Sequence, residues 1–343
     1  MRNTVIVLSL LAAAVVAWWF VSSRRPSGPA EGGGEVVVYV AHDKDYAVPL
    51  FQQFERETGI RVNARYDTEA DKTIGHVQRL LAERDNPRCD LHWNNEPMHT
   101  IRLAGEGIYA PYHSPLAGKI PPVFRDPNGL WTGFAARARV IVYHTATPGA
   151  DRIRSLADFL KPEYKGKLCI ARPRAGSTQT HMAVLYSLWG REKFLAWLRG
   201  LIANDVKFLE SNSKVADSVA NGVFMAGLTD TDDVISRKEN RGLACDLIFP
   251  DADGMGTLVF PNTLAIVKGA PHPENAKKLY DWLLARELEL CMSPSAQIPL
   301  SEDVSAPTGR FSISDIKHMQ VDWAKVAAVR DECVKLLSEE LSK

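Results

Sequence analysis

The chain has 343 residues, no formal net charge at pH 7 and 45% hydrophobic residues, which is enough for two domains of ordinary size. The neutral balance argues against a nucleic-acid partner, for which a basic excess is expected. The five cysteines form no Cys-x-x-Cys pair, so neither a zinc site nor a thioredoxin-type motif is indicated. Their number permits one disulfide and leaves at least one thiol unpaired.

The N-terminal residues predict an exported protein. Residues 5–21 (VIVLSLLAAAVVAWWFV) are nearly all apolar. As a helix they span roughly 25 Å, close to the ~30 Å of a bilayer core. Residues 1–23 are therefore predicted to be a signal peptide or a membrane anchor, with membrane contact through residues 5–21. Residues 24–34 are typical of a flexible linker. We expect a periplasmic or extracytoplasmic location, and anchoring to the inner membrane is left open.

From residue 35 onward, strand and helix patterns alternate. Short apolar runs rich in β-branched residues predict strands, and apolar residues three or four positions apart predict the helices between them. The predicted strands are 36–41, 60–66, one beginning at 89, 134–144, 166–171, 205–210 and 222–228, followed by a strand pair over 256–269. The predicted helices include 67–85, 97–107, 273–292 and 321–341. This order predicts an α/β sheet.

The segment GLTDTDD (227–233) places three carboxylates at the end of an apolar strand. A helix N-cap needs one such side chain, whereas Asp230, Asp232 and Asp233 together indicate a polar or cationic ligand. Because α/β sheets bind ligands beyond the carboxyl ends of their strands, we expect the segment to face a cleft. The simpler alternative is a helix start in which the acids serve only as a cap and first-turn residues.

Several longer segments resemble periplasmic solute-binding proteins of ABC importers, in the branch that contains the ferric-binding proteins. The resemblance covers nearly everything after residue 35, and it extends to the order and spacing of the matching segments as well as to single motifs. Besides GLTDTDD, it is carried by VVVYVAHDKDYAVPLFQQFERETGIRVNARYDTEA (36–70), CDLHWNNEPMHTIRLAGEGIYAPYHSP (89–115), GFAARARVIVYHT (133–145) and GTLVFPNTLAIVKGAPHPENAKKLYDWLL (256–284).

The resemblance implies an α/β, two-lobe periplasmic-binding-protein fold (type 2) with two hinge-crossing strands, here preceded by the apolar N-terminal helix. The solute would lie in the cleft between the lobes. We expect lobe 1 to comprise residues 35–135 plus 250–300, and lobe 2 residues 136–249 plus 301–343. Residues 134–144 and the region near 245–258 are the hinge candidates.

The loops after the strands supply the expected ligand-binding residues. The resemblance places His42 near a ferric-binding histidine, and Asn95 and Glu96 near a glutamate ligand. Arg137 and Arg139 share one face of a strand, where they either grip a ligand anion or brace the hinge. The full set is His42, Asp43, Asn95, Glu96, Arg137, Ser177, Thr178, Asn212, Asp230, Asp232 and Asp233.

Each of these residues also has an ordinary structural interpretation. His42 is then a surface or hydrogen-bonded histidine. Asn95 and Glu96 become a helix cap and a first-turn acid. Ser177 or Thr178 is expected to cap the helix that follows, whose N-terminal N–H groups otherwise form an anion site.

Two classes of ligand fit the predicted cleft. The resemblance implies metal ligation by His42, Glu96, Asp230 and Asp232 with Fe(III) as the transported ion, and carboxylates are the hard oxygen donors that suit such a cation. Many ferric-binding proteins carry adjacent tyrosines where this chain has Thr229–Asp233. Carboxylates at that place suit equally the ammonium group of a small organic solute, such as a polyamine or an amino-acid-like or phosphonate-like molecule.

The chain carries no Gly-x-Ser-x-Gly, Walker loop, His-Glu-x-x-His or dinucleotide fingerprint. No enzymatic activity is therefore expected, and the resemblance implies a monomeric receptor that delivers its ligand to the permease subunits of an ABC importer. No resident cofactor and no nucleic-acid partner are expected. The alternative within the same fold is a tethered ligand sensor.

Overall fold

The structure is a computed structural model that describes residues 33–41, 44–66 and 74–342. The predicted N-terminal apolar helix and nearly all of the linker lie outside these residues. Of the helices within the three ranges, none combines the length and the hydropathy that a bilayer span requires.

Strands and helices alternate along most of the described chain, as the sequence predicts. The strands are β1 (Glu35–Val40), β2 (Arg61–Tyr66), β3 (Leu91–Asn94), β4 (Tyr109–Ala110), β5 (Thr132–His144), β6 (Leu168–Ala171), β7 (Lys207–Leu209), β8 (Ala226–Asp230), β9 (Cys245–Ile248) and β10 (Val259–Val267). The helices are α1 (Lys44–Thr58), α2 (Ile74–Ala82), α3 (Pro97–Gly105), α4 (Gly176–Ala203), α5 (Asn212–Ala220), α6 (Thr231–Ile235), α7 (Pro273–Leu284), α8 (Glu287–Met292) and α9 (Trp323–Leu341).

The strands form a continuous ladder in the order β2-β1-β3-β10-β5-β8-β6-β7, with β4 beside β10 and β9 beside β5. The outer strands are parallel to one another, whereas β10 and β5 run antiparallel to their neighbours. β5 is long enough to pair with strands of both halves of the sheet. Up to Ala138 it pairs with β10, and from Arg139 onward it pairs with β8 and β9. This strand, one of the predicted hinge strands, therefore joins the two halves of the sheet.

Both faces of the sheet are covered by apolar packing. In β1, Val36, Val38 and Val40 belong to one core, while Val37 and Tyr39 belong to the other. Successive strand residues point to opposite faces, so a strand covered on both sides is apolar at every position. This is the reason why β1 appears in the sequence as an unbroken apolar run.

Three predicted elements differ from the structure, and the first is the strand predicted over 222–228, which is β8 at Ala226–Asp230. The strand pair predicted over 256–269 is the single strand β10, whose pairing with β5 shifts register between Pro261 and Asn262. A proline lacks the N–H group that a regular ladder needs, and the shift accommodates it. The single helix predicted over 273–292 is divided into α7 and α8, because Arg286 (φ −116°, ψ 19°) leaves the helical region.

The C-terminal residues contact both halves of the sheet. Asp303 pairs with Lys119, which precedes β5 in the chain. Farther on, α9 packs along α4, where the Tyr186 hydroxyl donates to Glu332 Oε1 at 2.5 Å. The domain borders given above stay a prediction.

All five cysteines lie in the described ranges, where they are buried and unpaired. Burial raises the pKa of each thiol, to about 12 at Cys333. No disulfide joins any of the five cysteines in this structure.

A buried carboxylate fastens β5 to the chain that follows α8. Glu287 is 1% exposed. Its Oε1 accepts hydrogen bonds from the backbone N–H groups of Ala135 (2.7 Å) and Leu300 (3.0 Å), and its Oε2 accepts from that of Ser301 (2.8 Å). Ala135 has a φ of 48°, a conformation that an alanine rarely adopts. These bonds therefore hold the early part of β5 in a strained shape.

We expect Glu287→Gln to lower the free energy of unfolding by about 2–3 kcal/mol. The amide group keeps one acceptor oxygen but turns an NH₂ group toward a buried backbone N–H. Urea denaturation measures the change. Glu289→Gln, an exposed acid on the same helix, is the matched control and should change stability by less than about 0.5 kcal/mol. Equal stability of the two variants would contradict this role for Glu287.

Candidate functional site

The three aspartates lie where β8 ends and α6 begins. Asp230 occupies the N-cap position of α6 with extended backbone angles, yet its side chain accepts no hydrogen bond from the helix. The interpretation of the segment as a helix cap therefore does not account for Asp230. Each of Asp230, Asp232 and Asp233 offers a carboxylate oxygen, and these oxygens lie within 4.8 Å of one another.

Asp230 is engaged by partners within the fold. Arg139 Nη1 lies 2.5 Å from Asp230 Oδ1, and the Ser177 hydroxyl donates to Oδ2 at 2.6 Å. The Asn212 amide donates to the same Oδ2 at 3.3 Å. Arg139 is fully buried and Asp230 is 2% exposed. A positive charge supplied by the neighbouring strand β5 thus offsets the first aspartate.

Asp233 is also held in place. Its Oδ1 accepts from the Ser213 hydroxyl at 2.8 Å and from Arg237 Nη1 at 3.2 Å. Its Oδ2 accepts from the Thr229 hydroxyl at 3.2 Å. Burial, followed by the charge of Asp230, raises the pKa of Asp233.

Of the three aspartates, Asp232 has the fewest hydrogen-bond partners for its carboxylate among the described residues. Its Oδ1 is enclosed and has no hydrogen-bond partner among the described residues. Within the described part of the chain, Asp232 forms one long ion pair, 3.7 Å from its Oδ2 to Arg137 Nη1. Burial raises the pKa of Asp232 to about 7, against the opposing effect of Arg137 and with help from the charges of Asp233 and Asp230. An enclosed oxygen without a partner is where a ligand donor or a cation gains most.

Asp232 and Asp233 line a cavity of about 210 Å³. The opposite wall comes from the start of α1, from the end of β3 and from the chain after α8. Hydroxyl, amide and guanidinium groups dominate the lining, which consists of Tyr46, Asn95, Arg137, Ser213, Asp232, Asp233, Ser236, Arg237, Pro294, Ser295 and Gln297. The cavity is therefore polar and bounded by both halves of the sheet.

Of the expected residues that precede β5, Asn95 lines the cavity. His42 and Asp43 lie outside the described residues. Glu96 is the N-cap of α3, where its Oε2 accepts from the His99 N–H at 3.3 Å. Its Oε1 accepts from the Thr180 hydroxyl of α4 at 2.5 Å. In this structure Glu96 thus links α3 to α4 rather than lining the cavity.

Three expected residues of the second half, Ser177, Thr178 and Asn212, form hydrogen bonds among themselves and with Asp230. Thr178 donates its hydroxyl to Asn212 Oδ1 at 2.9 Å, and Asn212 in turn donates to Ser177 Oγ at 2.8 Å. The expectation that Ser177 or Thr178 caps α4 is wrong, because the N-cap is Ala175 and no side chain caps the helix. Both hydroxyls lie in the first turn and bond toward the end of β8 and the start of α5.

Besides Ser213, which directly follows the expected Asn212, six lining residues lie outside the expected set: Tyr46, Ser236, Arg237, Pro294, Ser295 and Gln297. Arg237 had a usable signal, since it follows Asp233 by four positions, the spacing of an ion pair on a helix. Tyr46 lies near the start of α1, four positions after the expected His42. Ser295 and Gln297 belong to irregular chain and carry no local pattern.

The fold and the polar cavity define the class of protein. The structure of Trichodesmium IdiA (FutA), in complex with iron and citrate ligands, matches with a TM-score of 0.79 at 23% identity, covering 89% of this chain and 99% of that one. The fold is that of the type 2 periplasmic binding proteins. Residues 97–327 match the family of bacterial extracellular solute-binding proteins, and the chain belongs to that family.

Two curated relatives bear different names. Iron uptake protein A1 of Synechocystis sp. is 27% identical over 292 residues, covering 79% of each chain. The putative 2-aminoethylphosphonate-binding periplasmic protein of Salmonella typhimurium is 27% identical over 317 residues, covering 88% of this chain and 90% of the relative. Similarity of the same degree thus connects the chain to a protein named for iron and to one named for an organic zwitterion.

We expect Asp230→Asn to lower the free energy of unfolding by about 3–5 kcal/mol, because it leaves the buried Arg139 guanidinium without its counter-charge. Chemical denaturation of the unliganded protein measures this loss. Asp246→Asn breaks the more exposed pair with Lys238 and should lower stability by less than about 1 kcal/mol. If both variants lost the same amount, the Arg139–Asp230 pair would not be a structural centre.

Asp232→Asn should have the opposite effect on the unliganded protein. Because the pKa of Asp232 in the folded state lies above its usual 3.8, its ionisation destabilises the fold, from about pH 4 to full effect above pH 7. The variant should therefore melt about 2–4 °C higher than the parent at pH 8 and at nearly the same temperature at pH 4.5. Circular dichroism at the two pH values tests this. The exposed control Asp253→Asn should show no such difference, and an Asp232→Asn variant that melted lower at pH 8 would refute the expectation.

Proposed function

We propose that this protein is the extracytoplasmic receptor of an ABC importer and takes up its solute in the cavity beside Asp232. One observation carries the proposal: Asp232 Oδ1 is enclosed, has no hydrogen-bond partner among the described residues, and lies at the wall of a polar cavity bounded by both halves of the sheet. A cationic centre of the solute would supply the missing partner. Since both halves contribute to the lining, binding would favour the closed arrangement of the lobes.

Fe(III) is the first candidate cargo. The relatives named above include an iron uptake protein and a structure with iron and citrate ligands. Carboxylate and phenolate oxygens are the hard donors that such an ion prefers, and Asp232, Asp233 and Tyr46 bring them to one cavity. Of the predicted metal ligands, Asp232 lines this cavity and His42 stays a prediction. Ligation by Glu96 or Asp230 would require these residues to exchange their present bonds.

An organic ammonium compound is the second candidate. The absence of tyrosines from Thr229–Asp233 removes the phenolates that many ferric-binding proteins carry there. Aspartate carboxylates instead offer charge-assisted hydrogen bonds to an ammonium group. The Salmonella relative named for 2-aminoethylphosphonate supports this class of cargo.

Delivery to permease subunits, location outside the cytoplasm and export directed by residues 1–23, as a signal peptide or as a membrane anchor, belong to the same proposal. The family consists of extracellular binding proteins, which supports a receptor rather than an enzyme. A sensor of the same fold would share the cavity but would signal to a partner instead of releasing its solute to a permease.

The test is ligand-dependent stability of the purified protein. We expect one member of a panel of ferric chelates, 2-aminoethylphosphonate, polyamines and amino acids to add about 2.7 kcal/mol to the free energy of unfolding at one hundred times its Kd. Asp232→Asn should weaken that ligand at least about tenfold, equal to 1.4 kcal/mol. Asp253→Asn, distant in sequence and exposed, should leave the affinity unchanged. A panel without any stabilising ligand would count against the receptor. Unchanged affinity in Asp232→Asn would show that the ligand binds at another place.

A further inference from the structure

We propose that the second half of the sheet carries a separate binding site for a small amphiphilic anion, a phosphate or carboxylate attached to an apolar group. The site is a cavity of about 280 Å³ between the loop that follows β6, the start of α4 and the last turns of α9. It shares no lining residue with the cavity beside Asp232. The inference therefore concerns a second ligand and does not rest on the proposed function.

Two arginines give this cavity its positive charge. Arg172 and Arg174 both line it and are exposed, and neither guanidinium forms a hydrogen bond or an ion pair within the described ranges. By contrast, Arg199 of α4 forms a two-point pair with Glu340 of α9. No carboxylate of the described chain lines the cavity. An anion from outside would supply the partner that both guanidiniums lack, and the planar fork of an arginine matches phosphate and carboxylate oxygens.

The loop that carries these arginines is fixed in shape. The Arg174 N–H donates to the Arg172 oxygen at 2.9 Å, which closes a tight turn around Pro173. The Arg172 N–H donates to the oxygen of Leu209 in β7 at 2.8 Å. Gln179, which is 7% exposed, donates its side-chain amide to the Arg174 oxygen at 2.6 Å. Because the backbone is held at these points, both guanidiniums are presented to the cavity with little ordering cost on binding.

The first turn of α4 separates this cavity from the aspartates. Ser177 and Thr178 turn their hydroxyl groups toward Asp230 and Asn212, whereas Gln179 lines the cavity on the side of α9. Its Oε1 accepts from Arg330 Nη2 of α9 at 2.7 Å. The site thus uses the loop before α4 and the side chains of α9, and not the residues that surround Asp232.

The opposite wall of the cavity is apolar. It comes from α9, where Val334, Leu337 and Leu341 follow one another at spacings of three and four residues and so share one helix face. Leu337 is buried, while Val334 and Leu341 keep part of their surface open. An apolar group bound against this face leaves water, which adds affinity in proportion to its buried area. The cavity therefore favours an anion with a hydrocarbon or aromatic body over a bare anion.

Charge and size narrow the ligand further. The C-terminal end of α9 contributes roughly half an elementary negative charge, which is less than the two positive charges of Arg172 and Arg174. The cavity lies just below the ~300–1,000 Å³ of drug-sized sites, so a short chain or a single ring fills it. Two sources share this chemistry: a free phosphate or carboxylate with a short apolar group, and the headgroup region of an anionic lipid.

Calorimetric titration of the full chain separates the two parts of the ligand. Hexyl phosphate and monomeric dihexanoyl phosphatidylglycerol carry both an anion and an apolar group, the first as a free ligand and the second as a lipid. Inorganic phosphate is the anion alone, and hexanol is the apolar group alone. We expect at least one amphiphilic probe to bind at least tenfold more tightly than phosphate or hexanol. The tighter of the two amphiphilic probes identifies the source.

Variants then test the two walls of the cavity. Arg172→Gln and Arg174→Gln should each weaken the amphiphilic probe at least tenfold and leave the melting temperature of the unliganded protein unchanged, because both side chains are exposed. Val334→Thr, which replaces a methyl by a hydroxyl group, should weaken that probe about three- to fivefold and leave phosphate unchanged. Arg152→Gln is the matched control, because Arg152 is also exposed and forms no ion pair in the described ranges.

Four results would overturn the site. Neither amphiphilic probe binds the parent protein, or Arg152→Gln loses as much affinity as Arg172→Gln. Unchanged affinity in Val334→Thr would remove the apolar wall from the recognition. A loss in Arg137→Gln without a loss in Arg172→Gln would place the probe in the cavity beside Asp232. Each of these results leaves the receptor standing, because its cargo is measured with a different panel at the other cavity.

Discussion

The buried pair of Arg139 and Asp230 is the interaction on which the site depends. Besides Asp230, the guanidinium of Arg139 donates to Asn212 Oδ1 at 3.0 Å and to the backbone oxygen of Leu228 at 3.3 Å. One side chain thus ties β5 to β8 and to the start of α5. Removing two charges from water is costly, and the cost is recovered only if both partners stay in register. The pair therefore fixes the position of the strand end that carries Asp232 and Asp233.

The three acids at the end of β8 therefore have different roles. Asp230 is structural, Asp233 is held by Arg237 and two hydroxyls, and Asp232 is left with an enclosed oxygen that the described part of the fold does not satisfy. A site in which most charges are paired internally is preorganised, so little rearrangement is needed when a solute arrives.

Much of the fold could be predicted from the sequence, because strand and helix periodicity and the position of acids at a strand end are local properties. The partners of those acids could not. Arg139 and Asp230 are 91 residues apart in the chain, so only the pairing of β5 with β8 brings them together. Tyr46 and Ser295 reach the cavity in the same way, from elements whose own patterns say nothing about it. The register shift at Pro261 likewise depends on β5 as the neighbouring strand.

The five buried thiols are most open to oxidation before the protein has folded. In the proposed extracytoplasmic compartment, oxidants form disulfides in chains that emerge unfolded. Once folded, the protein keeps each cysteine enclosed and its thiol in the unreactive protonated form. During the proposed export all five thiols would be accessible, and a cross-link between any two would be non-native, since the folded structure contains none. Folding would then have to bury Cys89 and the other four thiols faster than they are oxidised.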